Sequence, residues 1–217
     1  NEVEWLILDS DSTDISGDII KKLKTNQFKK QIKVIIEKDK GIYYAMNKGI
    51  EICNSKFIIF INSGDTINKD ILENFFLFKT KSNQTYVFGY KIKEEKSLLM
   101  SLFKNLFKKF EGFFKFILPS SHNSIIYETK SIKKIKFNYK YLCGADFDQY
   151  YQLLNKKHNF IYKRNLKLTN LNQEGYISKN ILISYKDYID ILQKNSYKFG
   201  YFYWMARLKL LRLKIKL

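Results

Sequence analysis

The sequence has few cysteines and few arginines, and each shortage excludes classes of protein. The two cysteines, Cys53 and Cys143, are too few for a disulfide framework or a zinc site. We interpret both as small buried apolar residues of a protein from a reducing compartment. The only arginines are Arg164, Arg207 and Arg212, whereas sequence-specific nucleic-acid readers rely on bidentate arginine contacts to guanine. We therefore expect no nucleic-acid partner.

Long apolar runs are also missing. No run approaches the roughly 18 residues that a membrane-spanning helix needs, and we see no signal peptide. The 217 residues, 45% hydrophobic and 28% charged, are enough for one globular domain with its own core. The net charge of +18 is carried almost entirely by lysine. It is typical of proteins that bind nucleic acid, an anionic membrane or a phosphorylated substrate, and an AT-rich coding genome explains it equally well.

Apolar strands alternate with amphipathic helices over the first 90 residues. We predict strands at 3–8, 32–36, 57–61 and 85–90, with helices at 15–23, 42–53 and 68–78 between them. This alternation indicates parallel βαβ units, and the unbroken apolar run 57–61 indicates a strand covered on both faces. Later in the chain we predict strands at 124–127 and 160–162 and a helix opening near Asp146.

Polar residues follow two of the predicted strands. Asp9 ends the strand 3–8, and Asn62-Ser63-Gly64-Asp65 follows the run 57–61. In an open α/β sheet, ligands bind beyond the carboxyl ends of the strands. A carboxylate in that position can hold a metal or a substrate, so we expect a site there.

The stretch 37–65 resembles the family 2 glycosyltransferases, which have the GT-A fold. It is most similar to the bacterial branch that builds capsule, lipopolysaccharide and other exopolysaccharides, including colanic-acid-type enzymes. That branch reads S-E-x-D-x-G-I-Y-D-A-M-N-K-G, then a strand, then L-N-S-G-D. The matching positions are Asp39, Gly41, Ile42, Tyr43, Ala45, Met46, Asn47, Lys48, Gly49, Asn62, Ser63, Gly64 and Asp65. Tyr44 stands where the family usually has aspartate.

The resemblance implies a Rossmann-like α/β architecture, with a mostly parallel sheet flanked by helices. The strand 3–8 corresponds to the family's second strand, so we expect the chain as given to lack the family's first strand. The resemblance divides the chain into a nucleotide-sugar-binding half (1–90), an acceptor-binding half (91–180) and a basic aromatic helical tail (181–217).

The resemblance also implies roles for individual residues. The nucleotide-sugar-binding residues are Asp9, Ser12, Asp39, Gly41, Asn47 and Asn62. Asp65 is the expected ligand of Mg²⁺ or Mn²⁺, with most other ligands supplied by the diphosphate. Asp146, in Cys143-Gly-Ala-Asp-Phe-Asp148, is the expected catalytic base, and His122 and Asp148 are expected in the acceptor pocket. Taken without the resemblance, residues 9–14 are a capped loop, His122 is a structural histidine, and Asp146 and Asp148 cap a helix.

Two basic aromatic stretches have alternative interpretations. Residues 97–118 repeat leucine and phenylalanine at helical spacing among lysines, and residues 197–217 carry six positive charges and no acid. Each is either a helix packed on the core or a helix that lies in an anionic membrane interface. We expect the tail, and less strongly 97–118, to hold the protein on the inner face of the cytoplasmic membrane.

Together these observations predict an inverting, metal-assisted glycosyltransferase. Its expected donor is a nucleoside-diphosphate sugar, most commonly UDP-linked in this family, and its expected acceptor is a glycan or a polyprenyl-linked glycan. The main alternative is a truncated or inactive transferase remnant. A basic nucleic-acid-binding protein is a weaker alternative, because no RNA-binding signature is present.

Overall fold

Strands and helices alternate in the computed structural model, which describes residues 3–25, 32–92, 118–172 and 180–215. The strands are β1 (Trp5–Asp9), β2 (Ile32–Ile36), β3 (Phe57–Ile58), β4 (Thr66–Ile67), β5 (Gln84–Ile92), β6 (Ile125–Glu128) and β7 (Asn159–Leu171). The helices are α1 (Ile15–Thr25), α2 (Ile42–Ile52), α3 (Lys69–Phe76), α4 (Thr129–Lys133), α5 (Ala145–Asn155), α6 (Ile181–Lys194) and α7 (Lys198–Ile215). A 3₁₀ turn, His122–Ser124, precedes β6.

The strands form two hydrogen-bonded sheets. In the first, β1 pairs in parallel with β2, from Trp5 opposite Ile32 to Asp9 opposite Ile36. The second has the order β3-β6-β5-β7-β4. Its long pairing, β5 with β7, is parallel, and three short pairings are antiparallel. With helices on the sheets, this confirms the predicted α/β fold with a mostly parallel sheet.

A cleft of about 730 Å³ lies between β1 and β3. Leu6 and Leu8 of β1 line one side, residues 57–61 line the other, and Met46 of α2 and Phe75 of α3 contribute further apolar surface. Among the described residues, β1 pairs along one edge only and β3 pairs only with β6. Within the part of the chain that the structure describes, the cleft therefore separates the two sheets.

The prediction of a strand over 57–61 is only partly correct. β3 covers Phe57–Ile58, and Ile61 is 41% exposed. The run borders the cleft, so residues 59–61 have no strand beside them on that side to complete a ladder. By contrast, the predicted strand 160–162 is far longer in the structure, because β7 continues through thirteen residues beside β5.

The core joins the first half of the chain to its C-terminal helices. One cluster contains Ile50 of α2, Phe147 of α5, Ile191 of α6 and Trp204 of α7. The tail is therefore partly a core element. Residues 97–117 lie outside the described residues, so the structure does not bear on the helix predicted there. No described helix is both long enough and apolar enough to cross a membrane.

Candidate active site

The first polar cluster lies at the carboxyl end of β1. Asp9 accepts hydrogen bonds from the Ser12 hydroxyl (2.6 Å to Oδ1) and the Ser12 backbone N–H (2.9 Å to Oδ2). These bonds, the hydroxyl's first, lower the pKa of Asp9. Asp11 adopts a left-handed φ of 61°, a conformation that glycine adopts more easily. The loop thus holds a carboxylate that stays ionised at the carboxyl end of β1.

The loop after β2 is joined to this cluster. The Asp39 N–H donates to Ser10 Oγ (3.2 Å), and Asp39 Oδ1 accepts from the Gly41 N–H (2.8 Å). Gly41 has φ +122°, which side-chain-bearing residues rarely adopt, and it immediately precedes α2. The loop geometry therefore places Asp39 beside the loop that carries Asp9.

These two loops border a pocket of about 340 Å³. Asp9, Asp39 and Lys48 line it, together with the rings of Tyr44 and Tyr139, which stack with centroids 3.8 Å apart. Tyr44 is the position at which the sequence departs from the family, and the structure gives it this stacking partner. A pocket with carboxylates, a lysine and a flat aromatic wall can hold a polar ligand that has a planar group.

The second polar cluster lies beyond β3. Asp65 Oδ1 accepts from the Asn172 N–H (2.7 Å), and Asp65 Oδ2 accepts from Asn123 Nδ2. Asn62 Nδ2 lies 3.2 Å from His122 Nε2 and 3.5 Å from Asn123 Oδ1. Three separate stretches of the chain thus meet around the Asp65 carboxylate.

Asp146 adjoins this cluster through His122. Its Oδ2 lies 3.4 Å from His122 Nδ1, its Oδ1 accepts from the Phe147 N–H (2.8 Å), and the residue is 3% exposed. Burial first, and the negative charge of Asp146 second, raise the pKa of the Tyr43 and Tyr127 phenols. These neighbours therefore stay protonated, and the carboxylate lies in a dry, hydroxyl-bearing environment.

The structure does not bring two predicted site residues to this cluster. The Asn47 side chain is 1% exposed and bonds the backbone of Phe137 twice, donating to its carbonyl (2.9 Å) and accepting from its N–H (2.8 Å). Asp148 is buried and accepts from Gln152 Nε2 within α5 (2.7 Å). Both side chains are engaged in holding the fold.

Sequence reasoning missed the two asparagines that hold Asp65. Asn123 directly follows His122, so its position was a usable signal. Asn172 gave none, because 107 residues separate it from Asp65 and its contribution is a backbone N–H. Among the described residues, no group of three or more histidines, cysteines or acids forms a metal cluster.

The loops that carry the two polar clusters each contribute residues to the lining of the cleft between the sheets. Its lining includes Ser10 and Asp39 from the first sheet, and Asn62 and Ser63 from the loop beyond β3. Of the predicted site residues, Asp39 and Asn62 line the cleft, and Asp9 lines the smaller pocket. Asn62 is connected to His122, and His122 to Asp146, by the contacts given above. A ligand that lies in the cleft could therefore contact the cluster after β1 and β2 at one end and the cluster around Asp65 and Asp146 at the other.

Solved structures with a similar fold include a mannosyltransferase and complexes with a nucleotide or a nucleotide sugar. TarS from S. aureus in complex with UDP matches at TM-score 0.60 with 16% identity, covering 88% of this chain and 56% of that one. The same protein with UDP-GlcNAc matches at 0.60 with 20% identity and the same coverage. The mannosyltransferase PcManGT from Pyrobaculum calidifontis, in complex with GDP-Man and Mn²⁺, matches at 0.66 with 12% identity, covering 88% and 54%. The chain thus spans about half the length of these proteins.

The family itself is established by sequence. The profile described as Glycosyl transferase family 2 matches residues 1–144, about two thirds of the chain. No curated protein matches the sequence closely enough to count as a relative. The fold and the two polar clusters define a transferase-like α/β domain, and the chain belongs to glycosyl transferase family 2.

Proposed function

We propose that this chain transfers a sugar from a nucleoside-diphosphate donor to a hydroxyl of a glycan or lipid-linked glycan, with inversion at the anomeric carbon, in surface polysaccharide synthesis. The observation that carries the proposal is the pair of polar clusters on either side of the cleft, in a family 2 chain. One side is suited to bind the nucleotide, and the other carries the carboxylates that the reaction needs.

The donor binds, in this proposal, between the loops after β1 and β2. Asp9 and Asp39 offer carboxylate acceptors for base and ribose groups, and the stacked Tyr44 offers a flat apolar surface. Lys48, which forms an ion pair with Glu37 in the structure, supplies positive charge to the diphosphate when it turns from that partner. UDP is the first donor nucleotide to test, because the resemblance favours it and TarS has been solved with UDP.

Asp65 fits a hard divalent cation, Mg²⁺ or Mn²⁺, as a single carboxylate ligand. Its two carboxylate oxygens are hard ligands, and each accepts a hydrogen bond from an amide N–H, so a single carboxylate offers too few ligands for tight binding by the protein alone. The diphosphate oxygens would complete the coordination. When bound, the metal neutralises the charge that develops on the departing diphosphate.

Asp146 is the proposed general base. It removes the proton from the acceptor hydroxyl as that oxygen attacks the anomeric carbon from the face opposite the diphosphate. Such base catalysis contributes about 10²–10⁴-fold to a rate. Its burial at 3% exposure limits access by water, which would otherwise compete as acceptor.

Nucleotide titration tests the proposal. We expect UDP, rather than GDP or dTDP, to raise the melting temperature with Mn²⁺ present, and the shift to vanish with chelator. Asp65→Ala should abolish the metal-dependent part, whereas Asp70→Ala, an exposed carboxylate on α3, should not. Asp146→Asn should retain donor binding and lose transfer. Equal binding with and without metal, or turnover by Asp146→Asn, would remove the corresponding role.

Membrane association through α7 is a further part of the proposal. Trp204 and Leu208 are buried, whereas the opposite side of the helix exposes apolar and basic side chains. The exposed set is Lys198, Phe202, Met205, Lys209, Leu210, Arg212 and Leu213. Arg207 instead packs over the rings of Tyr185 and Trp204. A mixed apolar and cationic face of this kind suits an anionic interface.

Vesicle sedimentation tests this surface without disturbing the core. The double variant Phe202→Ser with Leu210→Ser should pellet less with phosphatidylglycerol vesicles than the unaltered chain. Leu77→Ser removes an exposed leucine at the C-cap of α3, away from α7, and serves as the control. If both variants pellet like the unaltered chain, α7 does not bind the membrane. The peripheral position on the inner face of the cytoplasmic membrane depends on this result.

The cleft between β1 and β3 supports one alternative, a folded family 2 chain that does not turn over. Two sheets joined without a shared strand can hold the two polar clusters too far apart, or too loosely, for one ligand. The titration separates the two possibilities: a folded protein that responds to none of the nucleotides supports the inactive alternative.

A further inference from the structure

His122 lies between the proposed base and the donor side of the site. It is 6% exposed and begins the 3₁₀ turn before β6. Its Nδ1 is 3.4 Å from Asp146 Oδ2, and its Nε2 is 3.2 Å from Asn62 Nδ2. Both ring nitrogens face protein groups, so neither is left to bind an acceptor sugar.

The contact with Asn62 determines which ring nitrogen carries the proton. An amide nitrogen can only donate, so His122 Nε2 accepts and the proton of the neutral ring is on Nδ1. The orientation of the Asn62 amide is supported by Asn123, whose Oδ1 lies 3.5 Å from the same Nδ2. The proton is therefore on the ring nitrogen that lies 3.4 Å from Asp146 Oδ2.

We propose that His122 is a positioning residue that acts through Asp146: its Nδ1–H holds one carboxylate oxygen while the Phe147 N–H holds the other. The inference rests on the proposed function only in giving Asp146 the role of base. Asn62 sets the tautomer, and Asn123 joins the same contacts to Asp65. The orientation of the base is thus linked to the side chain proposed to hold the metal.

NMR of the histidine rings determines the tautomer of His122 and requires no transferase activity. The protein has only two histidines, and His158 is an internal reference of the same form. His158 Nδ1 lies 2.7 Å from Asn83 Oδ1 and its Nε2 lies 2.9 Å from Thr85 Oγ1, so it too carries its proton on Nδ1. With ¹⁵N-histidine and a pH well above the ordinary pKa of histidine, both rings should show protonated Nδ1.

Asn62→Asp is the informative variant, because a carboxylate accepts where the amide donates. It should place a proton on His122 Nε2 and leave His158 unchanged. Asn155→Asp makes the same chemical change at an exposed amide that bonds Asn195, and should move neither. A His122 proton on Nε2 in the unaltered protein, or an unchanged His122 spectrum in Asn62→Asp, would overturn the inference.

Kinetics test the consequence for the base. His122→Ala should lower kcat for release of the nucleoside diphosphate by about 10²-fold, with little change in donor KM, since misplacement of a reacting group has about that cost. His122→Asn puts an amide donor near the Nδ1 position and should recover much of the rate, whereas His122→Gln puts its amide near Nε2 and should not. Equal losses in both variants, or a change confined to KM, contradicts positioning.

The two proposals fail separately. If the unaltered chain binds no nucleotide, the proposed function is wrong, and the NMR result still decides the tautomer. If the unaltered chain turns over and His122→Ala does so equally fast, only the positioning role is wrong.

Discussion

Replacement of Asn47 by alanine should destabilise the protein strongly and leave nucleotide affinity unchanged. The side chain is 1% exposed, and its two hydrogen bonds tie α2 to the Phe137 backbone, 90 residues later. Alanine removes both partners and leaves the Phe137 N–H and carbonyl buried without them. Each such group costs about 1–3 kcal/mol, so we expect the two together to cost about 2–6 kcal/mol.

That loss is large against the roughly 5–15 kcal/mol by which domains of this kind are stable. Urea unfolding at matched protein concentration measures it as a lower midpoint with a similar slope. Asn155→Ala is the matched control, because it removes an exposed amide with one hydrogen bond, and it should cost less than 1 kcal/mol by the same reasoning.

Asn47→Asp tests the hydrogen bond that Asn47 donates separately from the one that it accepts. The carboxylate still accepts from the Phe137 N–H but places negative charge against the Phe137 carbonyl, so this variant should also be unstable near neutral pH. Protonation of the introduced carboxylate restores a hydrogen-bond donor, so the loss of stability should become smaller as the pH falls. A loss below 1 kcal/mol in Asn47→Ala, or weaker nucleotide binding with unchanged stability, would refute this reasoning and place Asn47 in the donor site.

Three further outcomes follow from the fold. Gly41→Ala should cost about 1–3 kcal/mol in urea unfolding, because φ +122° is strained for alanine although no atom lies within 4 Å of the added Cβ; a smaller cost would mean that the loop relaxes. Ser12→Ala should weaken the acid dependence of stability: the lowered pKa of Asp9 gives stability that is present above the ordinary aspartate pKa and lost as pH falls through the lowered value, and unchanged pH-dependent unfolding would contradict that role. Trp204→Ala should cost about 3–5 kcal/mol, because the ring is buried against Tyr185 and Tyr188; a near-neutral effect would make α7 a surface appendage.

The elements that the sequence predicted well are those with strong local periodicity. The spacing of Ile42, Met46 and Ile50 predicted α2, and in the structure Met46 and Ile50 are buried while Ile42, in the first turn, is exposed. β2 begins and ends at its predicted residues because a short apolar run next to a charged turn has no competing pattern. Local pattern was sufficient where each element buries its own apolar face.

The parts that failed depend on partners far away in the chain. β7 extends well beyond the predicted residues 160–162, and its polar residues Lys163 and Lys167 are paired with Phe88 and Gly89 of β5 across a register shift. Their strand conformation comes from this pairing rather than from their own pattern. The family motif identified Asn47 but not the direction of its side chain, which is set by Phe137. The residues around Asp65 and Asp146 were largely predictable as a set, whereas the contacts that order them were not.

The cleft between the two sheets has a consequence for local unfolding. Every residue of β1 and β2 is at best half-buried, whereas β6 is buried throughout. Local unfolding should therefore begin in the unit β1–α1–β2, and its amides should exchange with deuterium before those of β6. Such opening dismantles the Asp9 and Asp39 half of the site and leaves Asp65 and Asp146 in place. A ligand that contacts both halves raises the free energy of this opening through linkage, so slower exchange in β1 and β2 reports binding directly.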